Sequence, residues 1–328
     1  MNKEIIEKAN QIFLENFPPT TCFERAIFFS WYCGIGDCAF CYMSTQQGRN
    51  KHKIARRTTE SLLAELLICK KLGWELGFIS GGHKAYTQTD FKELLQKLYA
   101  VAGEKLWINV GALSKEELLV YKPFIKGVVA SIETVNPEIH KKVCPSKPIQ
   151  PFEEMLLNAK TLKLKRAMTI ILGLGETIDD FELLKDFIEQ YELDKVHFYG
   201  LNPQRGTPFE KSKPPTPEYQ AEWIAKTRIA FPKLDIQCGI WTDRVDRVGL
   251  LLKAGANSIS KFPIMKEFGK KSAKEIEKQA EKTGRKFTGT LTTLPKINWD
   301  KEIKKLELDK VLKEKIKKKL KLYLKNMR

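Results

Sequence analysis

The sequence has no apolar run of the roughly 18 residues that a membrane-spanning helix needs. Its opening segment, Met1 to Lys8, carries acids and lacks an apolar core, so no secretory signal is expected and the cytoplasm is the default location. Histidine is scarce, with four (His52, His83, His140 and His197) scattered along 328 residues. No His-x3-His pair occurs, and no second Cys-x-x-Cys pair supports the one at Cys38 and Cys41, so the usual zinc-ligand spacings are missing. The seven cysteines are an odd number, which argues against a disulfide framework. Acids are outnumbered: 57 Lys and Arg against 40 Asp and Glu give a net charge of +17. Residues 301–328 contribute +8 of this excess. The charged fraction of 30% reads as a solvated Lys/Glu-rich surface rather than as a nucleic-acid-binding face.

What is present is a strand–helix rhythm. Helical spacing over 3–16 ends at Pro18-Pro19. Eight short apolar segments follow: 26–29, 76–79, 106–110, 127–132, 168–172, 196–199, 234–238 and 257–259. Helical patterns separate them, beginning at Thr58 or Thr59 and then covering 90–101, 114–121, 151–163, 178–191, 217–230 and 243–253, with a last one at 271–283. Apolar strands alternating with helices predict a parallel sheet, and eight units in this length predict an α/β fold, a closed (β/α)8 TIM-type barrel. The expected organisation is one barrel over 1–298, including the N-terminal helix, and a basic helical tail over 299–328. Leu308, Leu312, Ile316, Leu320 and Leu324 recur every fourth residue in that tail and are expected to pack on the barrel.

Three of the seven cysteines fall within nine residues, in Cys33-Gly-Ile-Gly-Asp-Cys38-Ala-Phe-Cys41. The loop follows the first strand, so a barrel places it at the C-terminal mouth, where active sites lie. Three thiolates on one loop can hold an inorganic centre. Zinc would want a fourth protein ligand, whereas a [4Fe–4S] cluster held by three cysteines leaves one iron open.

This loop resembles the signature of the radical S-adenosylmethionine (SAM) superfamily. Phe40 matches the aromatic that usually precedes the last cysteine. The first gap, Gly34 to Asp37, has four residues where the common form has three. The resemblance extends over about residues 20–290. Ser80-Gly81-Gly82 ends the second strand where the family has a Gly-Gly segment facing the methionine amine of SAM. Ser131 and Glu133 fall where the family holds the ribose and methionine groups of SAM. Gly173 opens a Gly-Leu-Gly-Glu-Thr turn after the fifth strand. Asn202 and Thr207 belong to an Asn-Pro-Gln-Arg-Gly-Thr-Pro loop after the sixth. The segment 254–259 is similar to the strand-eight region of biotin synthases. Arg166 is expected either to pair with the SAM carboxylate or to be a surface arginine.

The resemblance implies a [4Fe–4S] cluster on Cys33, Cys38 and Cys41, with SAM contacted by Phe40, Ser80, Gly81, Gly82, Ser131, Glu133, Arg166, Gly173, Asn202 and Thr207. It implies SAM cleavage, a small-molecule substrate and a low-potential electron donor of ferredoxin or flavodoxin type. It names no catalytic residue and leaves a homodimer open. Biotin synthases hold a second, sulfur-donating cluster on inner strands, where this chain has Trp107 and Ala167, which cannot ligate iron. Tyr42-Met43-Ser44 after the third cysteine is similar to the group associated with the pyridinol cofactor of [Fe]-hydrogenase, so a role in cofactor biosynthesis is expected. The alternatives are a sulfur-inserting enzyme and a non-catalytic metal- or RNA-binding protein.

Overall fold

The computed structural model describes residues 3–46 and 55–327, and His52 lies outside them. The N-terminal helix Lys3–Asn16 buries Ile6, Ala9 and Phe13, one face of its pattern. Eight strands then close a parallel barrel: β1 Thr20–Phe28, β2 Glu75–Ser80, β3 Leu106–Asn109, β4 Ile125–Glu133, β5 Lys165–Leu172, β6 Lys195–Gly200, β7 Asp235–Gly239 and β8 Ser258–Ser260. Each pairs with the next in parallel, and β1 pairs with both β2 and β8. The eight βα units expected from the apolar rhythm are present. A ninth strand, β9 Lys286–Thr288, pairs with the start of β1 and gave no apolar signal, because only Phe287 in it is hydrophobic and none of it is buried. Among the described residues no helix is long and apolar enough to cross a membrane.

Local chemistry explains where the helices begin. The Thr87, Ser114, Asn136 and Thr216 side chains accept backbone N–H bonds at the starts of their helices, filling donors that the first turn leaves empty. The helix Thr59–Leu72 ends at Gly73 in the left-handed conformation. The helix Pro137–Val143 was not read from the sequence. Asn136 caps it and Pro137 opens it, but seven residues are too few for the periodicity to show.

The basic tail forms two helices, Trp299–Lys304 and Lys310–Asn326. Asp309 caps the second, so Leu308 lies before it rather than on its stripe. Ile316, Leu320 and Leu324 are buried on the inner face, which lies against the helix Thr59–Leu72. Arg57 donates a 3.1 Å hydrogen bond to the Tyr323 hydroxyl across this contact.

Charge is built into the barrel interior. Glu24 on β1 is 2% exposed, pairs with Lys195 on β6, and accepts from Gln237 at 3.1 Å and from Ser258. Lys195 also reaches Asp235 at 2.9 Å. Burial works against the Glu24 charge, yet Lys195 and His197 outweigh it and hold the carboxyl down at about 2. A folded-state value below the ordinary 4.5 stabilises the fold above that pH, and the contribution is lost as pH falls toward 2. Chemical unfolding of the wild type and Glu24→Gln as a function of pH checks this. The stability gap between them is expected to be constant above pH 5 and to shrink below it, whereas a gap independent of pH would remove Glu24 as the source.

Candidate functional site

The cysteine loop leaves the end of β1 and is tied down on both sides. The Phe29 N–H donates to the Ser80 carbonyl and the Gly34 N–H to the His83 carbonyl, each at 2.8 Å. The loop lies so close to the end of β2 that a Cβ on Gly82 would stand 1.8 Å from the Tyr32 carbonyl oxygen, and one on Gly81 2.3 Å from the Phe29 ring. The Gly-Gly segment therefore has a packing reason to be glycine: no side chain leaves room for the loop. On the other side the Ala39 N–H donates to the Val143 carbonyl at 2.8 Å. Ser44 closes the last turn, donating from its hydroxyl to the Cys41 carbonyl at 2.7 Å.

Cys33, Cys38 and Cys41 are half-buried, while Cys22, Cys69, Cys144 and Cys238 are buried. The Cys38 thiol hydrogen-bonds the Cys144 thiol, and this contact, with burial, raises its pKa. Burial pushes the Cys41 thiol up to about 11. Among the described residues no three Cys, His, Asp or Glu side chains converge on a point that could hold a single metal ion.

Behind the loop lies a second buried ion pair. The Lys147 ammonium sits 2.8 Å from the Glu133 carboxylate, with side-chain exposures of 9% and 11%. Burial opposes the Lys147 charge, but Glu133 overcomes it and raises the lysine's pKa. Thr169 also donates to Glu133, at 3.4 Å. Glu133 has a φ of +66°, a left-handed conformation that is costly outside glycine, at a shift in the pairing of β4 with β5. His140 braces the Lys147 segment, its ring nitrogens 3.0 Å from the Ile132 carbonyl oxygen and 2.6 Å from that of Lys147.

The other expected contacts fall at the same end of the barrel, with one exception. Ser80 ends β2, and Ser131 donates to Asn109 at 2.8 Å. Gly173 has a φ of +98° and opens a turn in which the Gly173 and Leu174 N–H groups donate to Glu176 at 2.6 and 2.9 Å. Asn202 accepts from Arg244 at 3.1 Å, and Thr207 donates to the Gln204 carbonyl at 2.7 Å. Arg166 is the exception and a correction. It lies at the N-terminal start of β5, the end away from the mouth, and it pairs with Glu192 and Asp194, each at 3.7 Å. Of the two roles open to it, the structure supports the structural one.

A cavity of about 470 Å³ opens beside the loop. Phe40, Cys41, Met43, Asn202, Trp241 and Lys261 are among its lining residues. Lys147, Trp241 and Lys261 were not singled out from the sequence. Each is a lone residue on a loop, and only the closed barrel brings it to the mouth.

A family model for the radical SAM superfamily matches residues 32–188, which include all three cysteines of the loop and the strands β2 to β5. An uncharacterized protein of Methanocaldococcus jannaschii is 39% identical over 308 residues, 92% of this chain and 85% of that protein. The chain belongs to the radical SAM superfamily. A biotin synthase of Clostridium tetani is 28% identical over 74% of this chain and 75% of its own length. A 3-methylornithine synthase of Methanosarcina barkeri is 26% identical over 76% and 69%. In fold, the chain is similar to the crystal structure of methylornithine synthase, with a TM-score of 0.74 over 87% of this chain and 88% of that one, at 23% identity.

Radical SAM enzymes bind a [4Fe–4S] cluster and SAM, cleave SAM, act on small molecules and need a reductant. The loop fits the cluster chemically, with three thiols free of disulfides on one turn, Cys41 among them on the cavity wall. The missing single-ion geometry is no obstacle, because the thiolates of a four-iron cluster bind separate irons and stand farther apart than ligands of one ion. Inside the barrel, Trp107 and Ala167 pack with Phe78 and Val129, so the inner strand positions that hold a sulfur-donating cluster in biotin synthases are apolar here.

The Glu133–Lys147 pair yields a prediction. Lys147→Met leaves a buried carboxylate without its partner, which costs about 3–5 kcal/mol of stability. Denaturant unfolding of the cluster-free protein measures it, and a change below about 1 kcal/mol would mean that the pair is solvated.

Proposed function

We propose that Cys33, Cys38 and Cys41 hold the [4Fe–4S] cluster of this radical SAM enzyme, and that its substrate is a small molecule used in cofactor biosynthesis. The observation that carries the assignment is the position of the cysteine loop: anchored to the end of β2 and to Val143, it borders the 470 Å³ cavity. Cys33, Cys38 and Cys41 would hold the cluster there, and with SAM it would supply one-electron reductive chemistry for hydrogen-atom abstraction from the substrate.

The chain's own residues position and shield this chemistry. Cys33, Cys38 and Cys41 release their protons to become ligands, and leaving the Cys144 hydrogen bond frees Cys38 for that role. Phe40 gives the cavity an apolar wall, and Asn202, held by Arg244, offers a fixed amide beside it. Ser80, Gly81, Gly82, Ser131, Glu133, Gly173 and Thr207 stand on the same rim and are our candidates for contacting or shaping the SAM site. The aromatic walls exclude water from a reactive radical.

The pyridinol cofactor of [Fe]-hydrogenase is the pathway we favour, on the lengthened first cysteine gap and the Tyr42-Met43-Ser44 segment. A ferredoxin- or flavodoxin-type donor in the cytoplasm suits both the free cysteines and the positive net charge of +17. The tail helices, by burying Ile316 and Leu320, act as a buttress outside the mouth rather than as a nucleic-acid arm.

Anaerobic reconstitution tests the ligand set. The wild type is expected to hold about four irons per chain and to form 5′-deoxyadenosine with dithionite and SAM. Cys33→Ala, Cys38→Ala and Cys41→Ala are each expected to lose the cluster, and Cys69→Ala and Cys144→Ala to keep it. A full cluster in Cys38→Ala, or its loss in Cys144→Ala, would reassign the ligands.

A further inference from the structure

We propose that Lys261 is the anion anchor of the mouth, and that the substrate carries a carboxylate which docks on its ammonium. The proposal rests on the radical SAM reading above and adds the substrate's chemical class. Lys261 directly follows β8 and lines the cavity with Cys41, Met43 and Trp241. Its φ of +65° places a branched-free but bulky side chain in a conformation that favours glycine, so the backbone spends strain to aim it. The ammonium lies 4.5 Å from the centroid of the Tyr199 ring. A ring face steadies a cation without neutralising it.

The contrast with the other enclosed lysines of the barrel is what carries the inference. Lys195 has Glu24 and Asp235, and Lys147 has Glu133. Lys261 alone of these three makes no side-chain hydrogen bond or ion pair among the described residues. Glu133 is close enough to act on it electrostatically, but its carboxylate is held by Lys147. A half-buried ammonium on the cavity wall with no carboxylate bonded to it leaves a place for an anion brought by a ligand. The cavity walls around it include Phe28, Trp31, Phe40 and Trp241. A cationic point in an aromatic enclosure fits a small carboxylic acid with an apolar or aromatic body, the acid meeting Lys261 and the body meeting the rings.

SAM also carries a carboxylate, so the test separates the two sources. Benzoate and benzamide have the same shape and differ in charge. Their dissociation constants are measured by equilibrium dialysis on cluster-loaded, SAM-saturated protein, for the wild type, Lys261→Met and Lys261→Arg. The wild type is expected to prefer benzoate by about tenfold, Lys261→Met to lose the preference, and Lys261→Arg to recover part of it. Iron content and melting temperature verify that each variant is folded and loaded, and Lys261→Gln replaces Lys261→Met if the latter is not. Equal binding of the two probes to the wild type, or a preference that survives Lys261→Met, would overturn the proposal. A SAM dissociation constant about tenfold weaker in Lys261→Met would also overturn it, by giving the anion to SAM. The probe ratio needs no turnover, so failure of the radical reading has a separate signature: wild-type protein that forms no 5′-deoxyadenosine.

Discussion

The site depends on one close approach, the crossing of the cysteine loop over Gly82. The backbone at Tyr32 comes within the space a single methyl group would occupy, and the hydrogen bond from Gly34 to His83 fixes the loop at that distance. A loop carrying three cysteines would otherwise sample many shapes, and each frozen residue costs entropy. Bonding it to the end of β2 on one side and to Val143 on the other transfers the rigidity of the barrel to the thiols. The glycines that resemble a cofactor-facing motif are thus equally a seat for the loop.

The second organising constraint is charge held away from water. Buried ions are tolerated only with partners, and the barrel supplies them for Glu24, Lys195, Glu133 and Lys147. These pairs link β1 to β6 and β7, and the end of β4 to the segment after the helix Pro137–Val143, so they fix both register and loop position. Against that rule Lys261 stands out, because its ammonium rests against the Tyr199 ring with no ion pair or side-chain hydrogen bond among the described residues.

Much of the fold was legible because its signals are local. Eight apolar strands and their intervening helices show in the periodicity, and the cysteine spacing marks the mouth without knowledge of any contact. What could not be read depends on closure. Arg166 was open to pairing with the SAM carboxylate or to a surface role, and the register of β5 places it at the far end beside Glu192 and Asp194. Glu133 was legible as a polar residue ending a strand, but its partner Lys147 lies 14 residues away on an irregular segment. The contact of Cys38 with Cys144 is of the same kind, joining two loops that only the folded barrel brings together. The tail was read as one stripe, and Asp309 divides it by capping a new helix, an effect of one side chain on its own backbone.

Three loop cysteines would hold a four-iron cluster with one iron open to SAM at the barrel mouth. The most direct measurement is the electron paramagnetic resonance spectrum of the reduced, cluster-loaded wild type before and after SAM is added. SAM is expected to shift the g-values of the cluster signal, as it would on taking the open iron. A cluster spectrum unchanged at saturating SAM would contradict it.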